Sequence, residues 1–152
     1  MNSFGPQHAT RGGAARNTLL ALVTLAATLA ASPAGAECGE QLPAPTRRLA
    51  SGDGYQVAFV ASAWPVPLGQ HFSLDLVVCG PPGATATKTL RVDADMPAHR
   101  HGMNYRASVQ DRGGGRFHAE GLMFHMAGRW RLIFDLHSGT QTVRLTHEVA
   151  VQ

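Results

Sequence analysis

The chain has 152 residues, 13 basic and 10 acidic side chains, eight histidines and two cysteines. That length holds one domain, and the formal charge of +3 falls to +1 without Arg11 and Arg16 of the leader, so the basic balance is no argument for nucleic-acid or membrane-surface binding. With only two cysteines, a disulfide-dense miniature scaffold is excluded as well.

The first element in chain order is a leader. Arg11 and Arg16 provide a positive start, Leu19 to Ala31 (LLALVTLAATLAA) an apolar run, and Ala34-Gly35-Ala36 the small residues of a cleavage site. Residues 1–36 are therefore read as a cleaved signal peptide, with the mature chain beginning at Glu37 in the periplasm or outside the cell. The apolar run falls short of the roughly 20 residues that a bilayer-crossing helix needs. An uncleaved anchor is thus the weaker alternative, and the mature chain is expected to have no membrane span. Removing the leader takes away two arginines and no acidic residue, which leaves 11 basic against 10 acidic side chains and seven of the eight histidines.

Residues 37–48 contain prolines and show no periodicity, so they read as an extended lead-in to a domain over 49–152. Cys38 lies in that lead-in and Cys79 at the end of an alternating run. In an oxidising compartment the pair predicts a disulfide; a thiolate metal site is the alternative, although no CxxC spacing is present.

Beyond the lead-in, short runs of period-2 alternation recur between Gly and Pro punctuation, the pattern of a half-buried antiparallel sheet. Predicted strands cover Tyr55 to Ala61, His71 to Cys79, Thr87 to Ala94, Tyr105 to Gln110, Arg116 to Phe124, Trp130 to His137 and Gln141 to Val151. Gly121 is expected to mark a bulge or a close backbone approach. Asp111 to Gly115 and Ser138 to Thr140 are expected turns. About seven strands in roughly 100 residues predict an all-β, immunoglobulin-like antiparallel sandwich, with a small barrel as the other arrangement of the same strands.

The chemistry concentrates in Met96-Pro97-Ala98-His99-Arg100-His101-Gly102-Met103-Asn104. If that segment is extended, His99, His101 and Met103 project to one side. A hairpin made by the two following strands would bring Phe124-His125-Met126 to the same end. The candidate metal ligands are therefore His99, His101, Met103, His125, Met96 and Met126. Imidazole suits divalent copper and zinc, whereas thioether sulfur is soft and selects monovalent copper, so copper is the expected cofactor. Each residue alone also has an ordinary reading, methionine as a filler of irregular core gaps and histidine as a polar loop residue. The clustering is what raises the metal reading.

These two segments, the second running from Gly121 through Phe124-His125-Met126-Ala127-Gly128-Arg129 to Trp130, resemble the YtkA-like domain of small exported or membrane-tethered bacterial proteins. The resemblance covers about Tyr55 to Val151. It implies an immunoglobulin-like sandwich and a place among periplasmic proteins associated with copper handling and respiratory-enzyme assembly, so a periplasmic or membrane respiratory protein becomes an expected partner. The ligand set comes from the residues of this chain rather than from the resemblance.

Catalysis finds little support, since no GxSxG elbow, HExxH helix or GxGxxG loop is present. Asp93 and Asp95 read as solvated or backbone-bonded, and a Ser108, His118 and Asp135 triad is possible only on paper. His118 with Glu120 is a candidate support for a metal ligand, while His71, His137 and His147 read as structural. Two functions remain: a copper carrier, buffer or assembly factor without enzymatic activity, and a metal-free immunoglobulin-like interaction module.

Overall fold

A computed structural model of the chain describes residues 37–152; the signal-peptide reading of 1–36 lies outside the described residues. Alternation of apolar and polar side chains becomes strand throughout, giving β1 (Arg48–Gly52), β2 (Tyr55–Ala61), β3 (His71–Cys79), β4 (Thr89–Met96), β5 (His101–Gly102), β6 (Ser108–Gly113), β7 (Arg116–Met123), β8 (Gly128–Ser138) and β9 (Gln141–Val151). Every strand pairing is antiparallel. Among the described residues, no helix is long and apolar enough to cross a membrane.

The strands form a five-stranded sheet in the order β1-β2-β3-β7-β6 and a four-stranded sheet in the order β5-β4-β8-β9. Leaving out β1, the two orders reproduce the A-B-E-D and C′-C-F-G sheets of the immunoglobulin fold, so the sandwich reading holds and the barrel does not. Seven of the strands answer to predicted runs. The two additions are β1, whose five residues carry one buried side chain, Ala50, and β5, only two residues long. Neither is long enough to declare a period.

Between the sheets lie Phe59, Leu74 and Leu76 from one side and Trp130, Leu132 and Phe134 from the other, none more than 1% exposed. Residues Val57, Ala58 and Phe59 are all buried, which breaks the alternation of β2. The reason is the lead-in, which covers the outer face of that strand so closely that a Cβ on Gly39 would stand 2.3 Å from the Ala58 Cβ. A disulfide between Cys38 and Cys79, with Cα atoms 5.9 Å apart, ties the lead-in to the end of β3.

The period of β7 changes midway. Phe117 and Ala119 face the core, and so do Leu122 and Phe124, so one extra residue has been inserted between the pairs. The register against β3 slips at the same place, between Phe72 and Leu74, and Gly121 sits there with φ of +83°. This is a β-bulge with glycine in the left-handed region. It turns Met123 outward, drives Phe124 inward and sets the start of the loop that carries His125. A Cβ there would meet Arg106 O at an ordinary contact distance of 3.7 Å, so the backbone angle rather than crowding demands glycine. Gly121→Val is expected to cost about 1–2 kcal/mol, read as a lower urea midpoint.

The outer face of the four-stranded sheet is a lattice of ion pairs. Arg131 forks onto Asp95 at 2.9 and 2.6 Å, and Arg144 onto Asp135 at 2.6 and 2.9 Å. Asp93 accepts from Arg91 and from the Ala94 amide. The Asp135 side chain is only 7% exposed, and hydrogen bonds from Arg144 hold its carboxyl below the usual carboxylate range despite the opposing effect of burial. A carboxyl with a depressed native pKa adds stability that is fully present above its unfolded value near about 4 and is lost as pH falls through the native value. Stability measured against pH should therefore fall below about 4, and this part of the fall should be missing in Asp135→Asn. An unchanged acid limb in that variant would exclude Asp135 as its source.

Candidate metal centre

Three loops gather the predicted donors at one end of the sandwich. The first departs from expectation. Residues 97–100 form a turn rather than an extended chain, because Pro97 cannot donate to a ladder and the amides of His99 and Arg100 both bond Met96 O at 3.0 Å. Arg100 closes the turn with φ of +56°. His99 and His101 are thus brought side by side by a tight turn, not by strand alternation, with ring centroids 5.9 Å apart.

His101 begins β5, directly opposite Met96 of β4, so its ring leans over the open end of the core. There it meets His125 at 5.1 Å and Trp130 at 5.7 Å, and His125 meets Trp130 at 5.3 Å, a triangle of two imidazoles and an indole. His101 Nε2 lies 3.2 Å from the Met126 sulfur, while its Nδ1 lies 3.1 Å from Gly102 O. A tetrahedral metal with bonds of about 2.0 Å to nitrogen and about 2.3 Å to sulfur would hold those two donors roughly 3.5 Å apart. A shift of a few tenths of an ångström would admit one.

His125 supplies the most informative atom. Its Nδ1 is buried and has no hydrogen-bond partner among the described residues. Buried polar groups are nearly always paired, so an orphan nitrogen calls for an unseen water or ion. The loop that carries it is fixed from both sides. Trp130, fully buried and stacked on Phe124 at 4.8 Å, donates its indole N–H to Met126 O at 2.9 Å, and Phe124 O accepts the Gly69 amide at 2.8 Å. Trp130 reads in the sequence as plain core. Its indole bond positions Met126, and no periodicity announces such a contact.

The remaining candidates divide. His99 is exposed at the rim. Met103 is half-buried against the core, with its amide held by Ala94 O at 3.1 Å. Met96 is 1% exposed and belongs to the core, its methyl filling the space over Gly128, where a Cβ would come within 2.3 Å of it. This is methionine as gap-filler. Among the described residues, no three His, Cys, Asp or Glu side chains are grouped to hold a metal ion. What does gather is the pair of imidazole rings of His101 and His125, centroids 5.1 Å apart, with the Met126 sulfur 3.2 Å from His101 Nε2.

Of the histidines read as structural or supporting, His118, His137 and His147 lie elsewhere. His118 pairs with Asp75 at 2.7 Å on the outer face of the five-stranded sheet; it supports no candidate ligand, and Asp135, in the other sheet, is committed to Arg144. His147 packs edge-on against Phe59 and bonds Leu49 O, and His137 bonds Thr142.

Known proteins add little to this geometry. No protein-family model and no curated protein matches the chain. Among solved structures, that of a DUF4426 family protein from Pseudomonas aeruginosa PAO1 is similar with a TM-score of 0.45 and 8% identity, over 70% of this chain and 96% of that one.

Proposed function

We propose that this is an exported copper-binding domain, a carrier, buffer or assembly factor rather than an enzyme, and that it holds the metal between His101, His125 and Met126. The observation that carries the reading is the buried Nδ1 of His125, unpartnered among the described residues, on a ring 5.1 Å from that of His101, whose Nε2 faces the Met126 sulfur at 3.2 Å. Two borderline nitrogens and one soft sulfur suit copper, and the sulfur favours its monovalent state. His99 at the exposed rim would meet an arriving ion first. The half-buried depth of the other donors fits transfer by ligand exchange with a partner, a role in keeping with the YtkA-like resemblance of the two motifs.

The test is anaerobic titration of the purified protein with Cu(I) against a chromophoric chelator, and separately with Cu(II). One equivalent bound with methionine involvement supports the proposal. Absence of binding above the level of surface histidines overturns it.

A further inference from the structure

We propose a second soft-metal site, formed by His71 and Met123, beside the cluster. The inference rests on the copper reading of that cluster but uses none of its residues. His71 opens β3 and Met123 closes β7, and the two are direct cross-strand partners. Their neighbours Phe72 and Leu122 are both buried in the core, so His71 and Met123 project together from the outer face of the five-stranded sheet. Directly opposed residues place their Cβ atoms about 5 Å apart, close enough for an imidazole nitrogen and a thioether sulfur to share one ion.

Met123 is no part of the core. Met103 and Met126 lie against the hydrophobic core and Met96 lies within it, whereas Met123 is half-buried on the outer side and belongs to no part of that cluster. The chain reaches this arrangement through the Gly121 bulge. With an unbroken period, Met123 would share the inward face of Phe117 and Ala119; the extra residue turns it out and into line with His71. His71 is exposed, and its ring is held edge-on by Tyr105 at 5.2 Å and 76°, which limits its rotation.

The location gives the pair a use. Met123 precedes His125 by two residues, roughly 7 Å along an extended chain, so the pair adjoins the loop that carries the cluster. One nitrogen and one sulfur make a weak, open site for a monovalent soft ion. Such a site beside a deeper one would pass an ion between solvent or a partner and the cluster.

The experiment follows the methionine methyl groups by NMR in 13C-methyl-labelled protein during titration with Ag(I), a soft monovalent ion that needs no reductant and so leaves the Cys38–Cys79 bond intact. The Met123 methyl is expected to shift both in the unaltered protein and in a His101→Ala/His125→Ala/Met126→Leu variant. His71→Ala, at an exposed position, is expected to weaken the Met123 response by at least about tenfold in affinity. Movement of Met126 with Met123 silent overturns the second site and leaves the first. Silence of every methionine overturns both. A Met123 shift that survives His71→Ala unchanged overturns the pairing.

Discussion

Replacing His101, His125 and Met126 together by alanine is expected to lower Cu(I) affinity by at least about a hundredfold, since loss of even a supporting partner of a ligand costs 10- to 100-fold. The argument is local. His101 and Met126 already present nitrogen and sulfur to each other, and His125 holds a buried nitrogen with no partner among the described residues. Removing these donors should leave the fold, because Trp130, Phe124 and Leu122 fill the core beneath them. Met96→Leu is the matched control. That side chain fills the gap over Gly128, so the change should move the thermal midpoint slightly, as volume-conserving core swaps do, and leave affinity unaltered. A fall in affinity for Met96→Leu would return that residue to the ligand set. Trp130→Phe provides a finer test, since it keeps an aromatic core residue but deletes the indole bond to Met126 O. Affinity should fall with unchanged donors, because the loop carrying the sulfur loses its tether.

The sandwich was legible because its strands alternate cleanly. Phe72, Leu74 and Leu76 on β3, and Trp130, Leu132, Phe134 and Leu136 on β8, are buried as their spacing predicts. Departures occur where a third layer or a bulge intervenes, and on β8, where Ile133 and Asp135 are buried on the outer face. Ala58 is buried on the outer face of its sheet because the lead-in lies across it, a contact between segments whose sequence says nothing of one another. At Gly121 the sequence flagged a bulge but not its consequence, the outward turn of Met123.

The candidate site was legible as a set of residue types and not as a geometry. His99, His101, His125 and Met126 do gather, but through the turn at residues 97–100 rather than through strand alternation. Met96 shares the motif yet belongs to the core, and only the space over Gly128 explains why. Met123 and His71 lie 52 positions apart in the chain, so only the β3–β7 register could join them.

Loss of the Cys38–Cys79 bond is expected to produce the largest change in stability. A cross-link spanning 41 residues removes loop-closure freedom from the unfolded chain worth about 4 kcal/mol in the chain-entropy treatment. Domains of this size have total stabilities of about 5–15 kcal/mol, so Cys38→Ser/Cys79→Ser should lower the thermal midpoint by roughly 12–20 °C. Release of the lead-in would also uncover Ala58, which Gly39 seals, and add to the loss. The same variant tests the cysteines as metal ligands. Cys79 closes β3, and the cluster lies beyond the other end of that strand, where His71 pairs with Met123. Eight strand steps separate His71 from Cys79, roughly 26 Å, too far for sulfur at one end to reach a metal at the other. Measured well below its lowered midpoint, the variant should therefore bind Cu(I) with unchanged affinity. A drop in affinity without unfolding would show that the oxidised pair shapes the metal end through β3, and loss of all binding would move the site to the thiols.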